Sequence, residues 1–243
     1  IVLADSASLQ QEYAEEEWEA ESGVVPKAPL YEPEDVAGCL RLFEPCERDS
    51  WIVLAPGLQF RFRYNGHILG AAFIECEADG RRIVFSGDIG RPQDPLLFPP
   101  ERPERADVLL LEATYGDRVH PVEDAATLLK EEVLGALSER GNCVIPCFAV
   151  QRMQAVMYLF WTLKASGQLP GIPVFADSPM GAEVYGLFGE FPDWHRLSPE
   201  VLKALSEHTV IIRAYADTCK AVDLPGTKVV LAGSGMLSGR RVL

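Results

Sequence analysis

Short apolar runs ending in glycine or a polar residue recur through the first half of the chain. Trp51–Gly57 and Leu58–Tyr64 read as strands. Ala71–Glu77 and Arg81–Phe85 flank Asp79-Gly80, two apolar-rich runs around a tight turn, which is the pattern of a hairpin. Asp107–Glu112, built on Val-Leu-Leu-Leu, predicts another buried strand. Upstream, residues 1–22 read as an acidic amphipathic helix with a solvated charged face. Pro26, Pro29 and Pro33 make residues 23–33 a loop, and a short helix opens at Glu34 and ends before Pro45.

After Gly116 the texture changes. Helices are predicted at Val122–Ser138, Gln151–Ala165, Gly181–Phe188 and Pro199–Ser206. Strands are predicted between and after them, at Cys143–Phe148, Pro173–Ala176, Val210–Arg213 and Lys228–Ala232. Strands alternating with helices imply βαβ units and a mostly parallel sheet. In the helix at 151–165, Met153, Met157, Tyr158, Phe160 and Trp161 are explained most simply as core packing, with base stacking the lesser alternative. The expectation is an α/β chain in two domains, residues 1–116 and 117–243, without internal repeats or low-complexity tracts.

Composition narrows the class. At 243 residues, 48% of them hydrophobic, the chain can bury a real core. Its longest apolar runs fall short of the roughly 18 residues that span a bilayer, and its start lacks the basic flank of a signal peptide. The six cysteines are scattered without a C-x-x-C pair, so they read as buried, reduced thiols of a cytoplasmic protein. Cys143 and Cys147 read as small core hydrophobes. A net charge of −14 argues against a nonspecific basic surface for nucleic acid. It leaves a nuclease open, because bound metal ions bring their own positive charge and a few local arginines can hold a phosphate.

The candidate chemistry sits where the early strands end. His67 lies between Gly66 and the small-residue run Gly70-Ala71-Ala72. Asp88 follows the strand Ile83-Val84-Phe85 within Ser86-Gly87-Asp88, which could equally be an Asx turn. Glu112 closes the Val-Leu-Leu-Leu run, where a carboxylate is costly unless it is paired or faces a metal. An imidazole and two carboxylates on one rim suit a divalent metal and point to hydrolysis. Spacing alone leaves that site incomplete, since His120, His195 and His208 form no H-x-H or H-x-x-x-H pair. In the second half, Arg152 opens a helix and could clamp phosphate or pair with a carboxylate. Ser178 could contact a phosphate or cap the next helix. Ser234 and Gly235 follow a strand in Ala232-Gly233-Ser234-Gly235, where exposed backbone N–H groups could cradle phosphate or simply turn the chain.

Taken in order, these strings resemble the β-CASP branch of the metallo-β-lactamase superfamily. The resemblance rests on residues 66–72 (GHILGAA), 85–91 (FSGDIGR), 112–118 (EATYGDR), 145–154 (IPCFAVQRMQ), 177–180 (DSPM) and 232–239 (AGSGMLSG). It implies a partial metallo-β-lactamase αββα sandwich followed by a β-CASP domain with a Rossmann-like parallel sheet. It implies a zinc-dependent ribonuclease that cleaves single-stranded RNA at two zinc ions. His67 then resembles a zinc ligand, Asp88 the carboxylate that bridges two zinc ions, and Glu112 the acidic residue that orients a catalytic histidine. Arg152, Ser178, Ser234 and Gly235 would grip the RNA strand. The family's H-x-H-x-D-H signature and its two later histidines are expected outside this chain, which therefore reads as a fragment of a longer enzyme. Arg240 stands where relatives usually carry a second glycine. A catalytically inactive scaffold in an RNA-processing complex is the rival reading, to be separated by the upstream signature. A small-ester metallo-hydrolase is a third, against which the second half argues. No membrane partner is expected, and a homo-oligomer is left open.

Overall fold

The computed structural model describes residues 1–20, 28–119 and 124–233. The chain divides into two compact units, Ile1–Cys46 and Glu47–Leu243. The first contains helices α1 (Val2–Ala20) and α2 (Pro33–Leu40), which touch each other. The Tyr31 hydroxyl donates to Ser6 Oγ at 2.8 Å, and the Leu30 N–H donates to Gln10 Oε1 at 2.9 Å. Pro33 opens α2, where its missing N–H leaves no helical hydrogen bond unmade.

The second unit begins with a five-stranded sheet. Its strands are β1 (Ile52–Ala55), β2 (Leu58–Tyr64), β3 (Ala72–Ala78), β4 (Arg81–Phe85) and β5 (Val108–Leu110), in that spatial order. The first three junctions are antiparallel, and β5 joins β4 in parallel. The β3–β4 hairpin turns at Asp79-Gly80, both with positive φ, as the Asp-Gly signal predicts. Period-two alternation gathers Arg61 and Arg63 of β2, Glu75 and Glu77 of β3 and Arg82 of β4 on one face. Glu75 is fully buried there. Its Oε2 accepts from Arg61 Nε at 2.6 Å and from Arg82 Nη1 at 3.3 Å. Arg82 also pairs with Glu77, and both guanidiniums lie over the Trp51 ring, 4.7 Å (Arg61) and 5.0 Å (Arg82) from its centroid.

The second sheet is all parallel. Its strands β6 (Cys143–Cys147), β7 (Val174–Asp177), β8 (Val210–Ile212) and β9 (Val229–Gly233) lie in the order β6-β9-β7-β8. The helices are α3 (Ala125–Ser138), α4 (Arg152–Ala165), α5 (Pro179–Glu190), α6 (Pro199–His208) and α7 (Tyr215–Asp223), with a short 3-10 turn at Pro192–Trp194. Side chains at the starts of three of them do the capping: Asp124 accepts from the Thr127 N–H, Ser178 from Gly181 and Ser198 from Val201. Met153, Met157 and Phe160 of α4 are buried in one apolar core with Val174, Val229 and Leu231 of the sheet. That is the packing role expected for this helix. Leu96 and Leu97, from the loop after β4, are fully buried in the same core, so the two sheets share a packed boundary.

Three expectations are corrected. The strand at Val108–Leu110 is not buried: among the described residues it is the edge of its sheet, paired with β4 alone, and Val108, Leu109 and Leu110 are 46–51% exposed. The cysteines are all free, but Cys39, Cys46 and Cys219 are exposed; only Cys147 is buried. Helix α7 was not expected, because its nine residues mix apolar and polar positions too evenly. The amine of buried Lys228 helps to end it, donating to the carbonyls of Ala221, Val222 and Leu224.

Removing one member of a buried charge cluster strands its partners. Glu75→Ala is expected to cost about 3 kcal/mol, read from urea unfolding. A loss below about 1 kcal/mol, the range of exposed ion pairs, would show that the cluster does not hold the sheet together.

Candidate metal centre and its surroundings

The carboxyl ends of β2, β4 and β5 meet along one side of the first sheet, because β3 runs antiparallel to both β2 and β4 while β5 runs parallel to β4. His67 lies in the β2–β3 loop, Asp88 in the loop after β4, and Glu112 just beyond β5. His67 Nε2 and Asp88 Oδ2 are 3.8 Å apart, with side chains 43% and 69% exposed. Glu112 lies close enough for His67 to favour its charge. The three residues singled out from the sequence are therefore brought together.

The organiser is a residue the sequence reading passed over. Asn65 ends β2's run and is buried. Its Nδ2 donates to the carbonyls of Ser86 (3.2 Å) and Asp88 (2.8 Å), and its Oδ1 accepts the His67 N–H at 3.2 Å. Its own carbonyl accepts the Gly90 N–H at 2.9 Å. One side chain thus ties the His67 loop to the Asp88 loop. Glycine makes the approach feasible: a Cβ on Gly90 would lie 2.0 Å from the Gly66 oxygen. Ser86, also missed, accepts the Glu112 N–H on its Oγ at 2.9 Å, while its N–H donates to Leu110. An Asn beside Gly-His at a strand end is the signal that could have been read. The direction of its carboxamide across two loops is not in the sequence.

Glu112 holds backbone. Its two oxygens accept the N–H groups of Ile89 (3.0 Å) and Thr114 (3.1 Å). These bonds, with the hydroxyl of Thr114 and the charge of His67, hold its carboxyl below the ordinary range. The side chains of His67 and Asp88, by contrast, make no hydrogen bond among the described residues and face each other at 3.8 Å. The donor set can be tested against a metal. Two ligands each about 2.1 Å from one ion lie at most about 4 Å apart, and 3.8 Å satisfies that limit. No group of three such donors occurs among the described residues, so His67 and Asp88 fit two ligand positions and not a full set.

The remaining predicted residues belong to the carboxyl ends of the parallel strands. Arg152 is exposed at the first turn of α4 and forms no ion pair among the described residues. Gln151 before it has φ 64°, unusual for a residue with a Cβ. Ser178 is buried, and its Oγ accepts the Gly181 N–H at 2.9 Å, so of its two alternatives the structure shows the helix cap. Gly233 packs on it: a Cβ there would lie 2.6 Å from Ser178 Oγ. Ser234 and Gly235 lie outside the described residues. Burial pushes the Cys147 thiol up to about 11 against the pull of Arg152, which keeps it protonated as a core residue.

Residues 153–243 match the Beta-Casp domain family. A protein named Ribonuclease TTHA0252 from Thermus thermophilus is 37% identical over 230 residues, covering 88% of this chain and 51% of that protein. An RNase J-like protein from Methanocaldococcus jannaschii is 27% identical over 221 residues, with the same two coverages. Endoribonuclease YSH1 from Eremothecium gossypii is 31% identical over 173 residues, covering 69% of this chain and 22% of that protein. The chain thus spans about half, or less, of the length of these curated relatives.

The depressed Glu112 carboxyl contributes stability when ionised. That contribution is present above the carboxyl's unfolded-state pKa and is lost as the pH falls through its lower folded value. Glu112→Gln is therefore expected to be less stable than the parent at neutral pH, with the gap closing in acid. Urea unfolding across that range checks it; a gap that does not change with pH would contradict the assignment. On the motifs, the two sheets and these similarities, the chain belongs to the β-CASP family of the metallo-β-lactamase superfamily.

Proposed function

We propose that this chain is part of a metal-dependent ribonuclease, active in RNA processing or decay, with zinc as its metal and single-stranded RNA as its substrate. The observation that supports this reading best is the meeting of His67 and Asp88 at 3.8 Å on a loop edge held by Asn65, with Glu112 alongside. Relatives named ribonuclease and endoribonuclease, and the absence of any helix among the described residues long and apolar enough to cross a membrane, accord with it. A cytoplasmic location is part of the proposal.

In this reading His67 and Asp88 hold the metal through Nε2 and the carboxylate. When bound, zinc supplies Lewis-acid polarisation of a phosphoryl oxygen and water activation at neutral pH. Glu112 keeps Ile89 and Thr114 fixed and presents negative charge near His67, which favours the geometry a ligand imidazole needs. Arg152, at a helix N-terminus and without a carboxylate partner among the described residues, offers a phosphate of the strand a guanidinium. Ser178 serves that edge indirectly, by capping α5 and packing Gly233; Ser234 and Gly235 are assigned to the same phosphate contact.

Asp88→Ala in the intact protein is expected to abolish zinc-dependent cleavage of a labelled single-stranded RNA while leaving thermal unfolding nearly unchanged, because the carboxylate is exposed and unbonded. Full activity in the gel assay would overturn the assignment. Arg152→Ala is expected to weaken RNA binding by about tenfold, measured by filter binding, with a shallower dependence on salt. Unchanged binding and salt slope would remove Arg152 from the interface.

A further inference from the structure

The loop that carries Asp88 does not end at the candidate centre. Fourteen residues connect Asp88 to Glu101 inclusive, and their far half is fastened to two places at once. Leu96 and Leu97 are fully buried in the core of the parallel-sheet region. The Arg196 N–H donates to the Leu96 carbonyl at 2.7 Å, and Asp94 Oδ1 accepts the N–H groups of Leu96 and Leu97 at 2.8 and 2.9 Å. Next to them stands Tyr64, the residue before Asn65, which is 2% exposed. Its hydroxyl accepts the Phe98 N–H at 3.1 Å and donates to the Trp194 carbonyl at 3.2 Å. Its carbonyl accepts the Glu101 N–H at 3.0 Å, and its ring packs against Phe98 and Trp194. Leu69, two residues past His67, packs on the same parallel-sheet core.

We propose that Tyr64 is a positioning residue for the candidate centre. It clamps the Asp88 loop to the parallel-sheet region and passes the placement of that region to Asp88 and His67 through the adjacent Asn65. The geometry is a closed circuit: Asn65 grips the loop at Asp88 and Gly90, Tyr64 grips it at Phe98 and Glu101, and Trp194 grips Tyr64. A polar group buried at such a junction is costly to leave without its partner, so losing the hydroxyl loosens both sides. The catalytic part of this inference rests on the ribonuclease reading; the mechanical part does not.

The test uses Tyr64→Phe in the intact protein, which keeps the ring and removes only the hydroxyl. The control is Tyr185→Phe, whose hydroxyl donates to Leu202 within the parallel-sheet region, away from the loop. Hydrogen exchange of the Ile89 and Gly90 amides, bonded to Glu112 and Asn65, is the readout. Tyr64→Phe is expected to speed their exchange by about fivefold, the equivalent of one hydrogen bond, while Tyr185→Phe leaves it unchanged. In the cleavage assay Tyr64→Phe should lower kcat and leave KM for single-stranded RNA alone. If Tyr64→Phe lowers Tm yet leaves those amides protected, or if both variants speed them equally, the role is only structural and the proposal fails. If the parent protein cleaves no RNA, the ribonuclease reading fails while the amide comparison still decides the clamp.

Discussion

A single buried carboxamide holds the candidate centre together. Asn65 satisfies four backbone groups on two loops with its side chain and its carbonyl, and those loops carry the imidazole and the carboxylate that meet at 3.8 Å. The arrangement explains why the surrounding positions are so small. With two backbones drawn within hydrogen-bonding distance at Gly66 and Gly90, any Cβ at Gly90 would collide with the opposite chain. It also explains why two exposed polar side chains can stay in register without bonds of their own. Their backbones are fixed from below, and their donor atoms stay free.

The two sheets meet their shared boundary by different means. The first sheet spends charge on one face, where Glu75 is enclosed by guanidiniums, and projects its loops outward from one edge. The parallel sheet keeps a conventional apolar core and lets Leu96 and Leu97 of the neighbouring loop enter it. A segment that contributes both a candidate ligand and two core residues couples chemistry to packing more tightly than a freely hinged pair of lobes would.

Much of this was legible in the sequence. The Asp-Gly turn marks the hairpin, the alternation of helix and strand signals marks the parallel sheet, and Ser178 marks a helix start that the structure keeps, although α5 begins two residues before Gly181, at Pro179. His67, Asp88 and Glu112 could be singled out because each follows or precedes a short apolar run. The failures have physical causes. Four apolar residues before Glu112 look like a buried strand whether a strand has one neighbour or two, and periodicity does not count neighbours. Asn65 and Ser86 escaped because a hydrogen bond across loops depends on the direction of a side chain. Tyr64 looked like one more aromatic at a strand end, since the carbonyl that receives its hydroxyl lies at Trp194, far along the chain.

The exposed position of β5 carries a further consequence. Among the described residues this strand is paired only through β4, so one row of its backbone N–H and C=O groups faces outward. Glu112 stands directly beyond it. A strand added along that margin would end beside Glu112, at the acidic corner of the candidate centre.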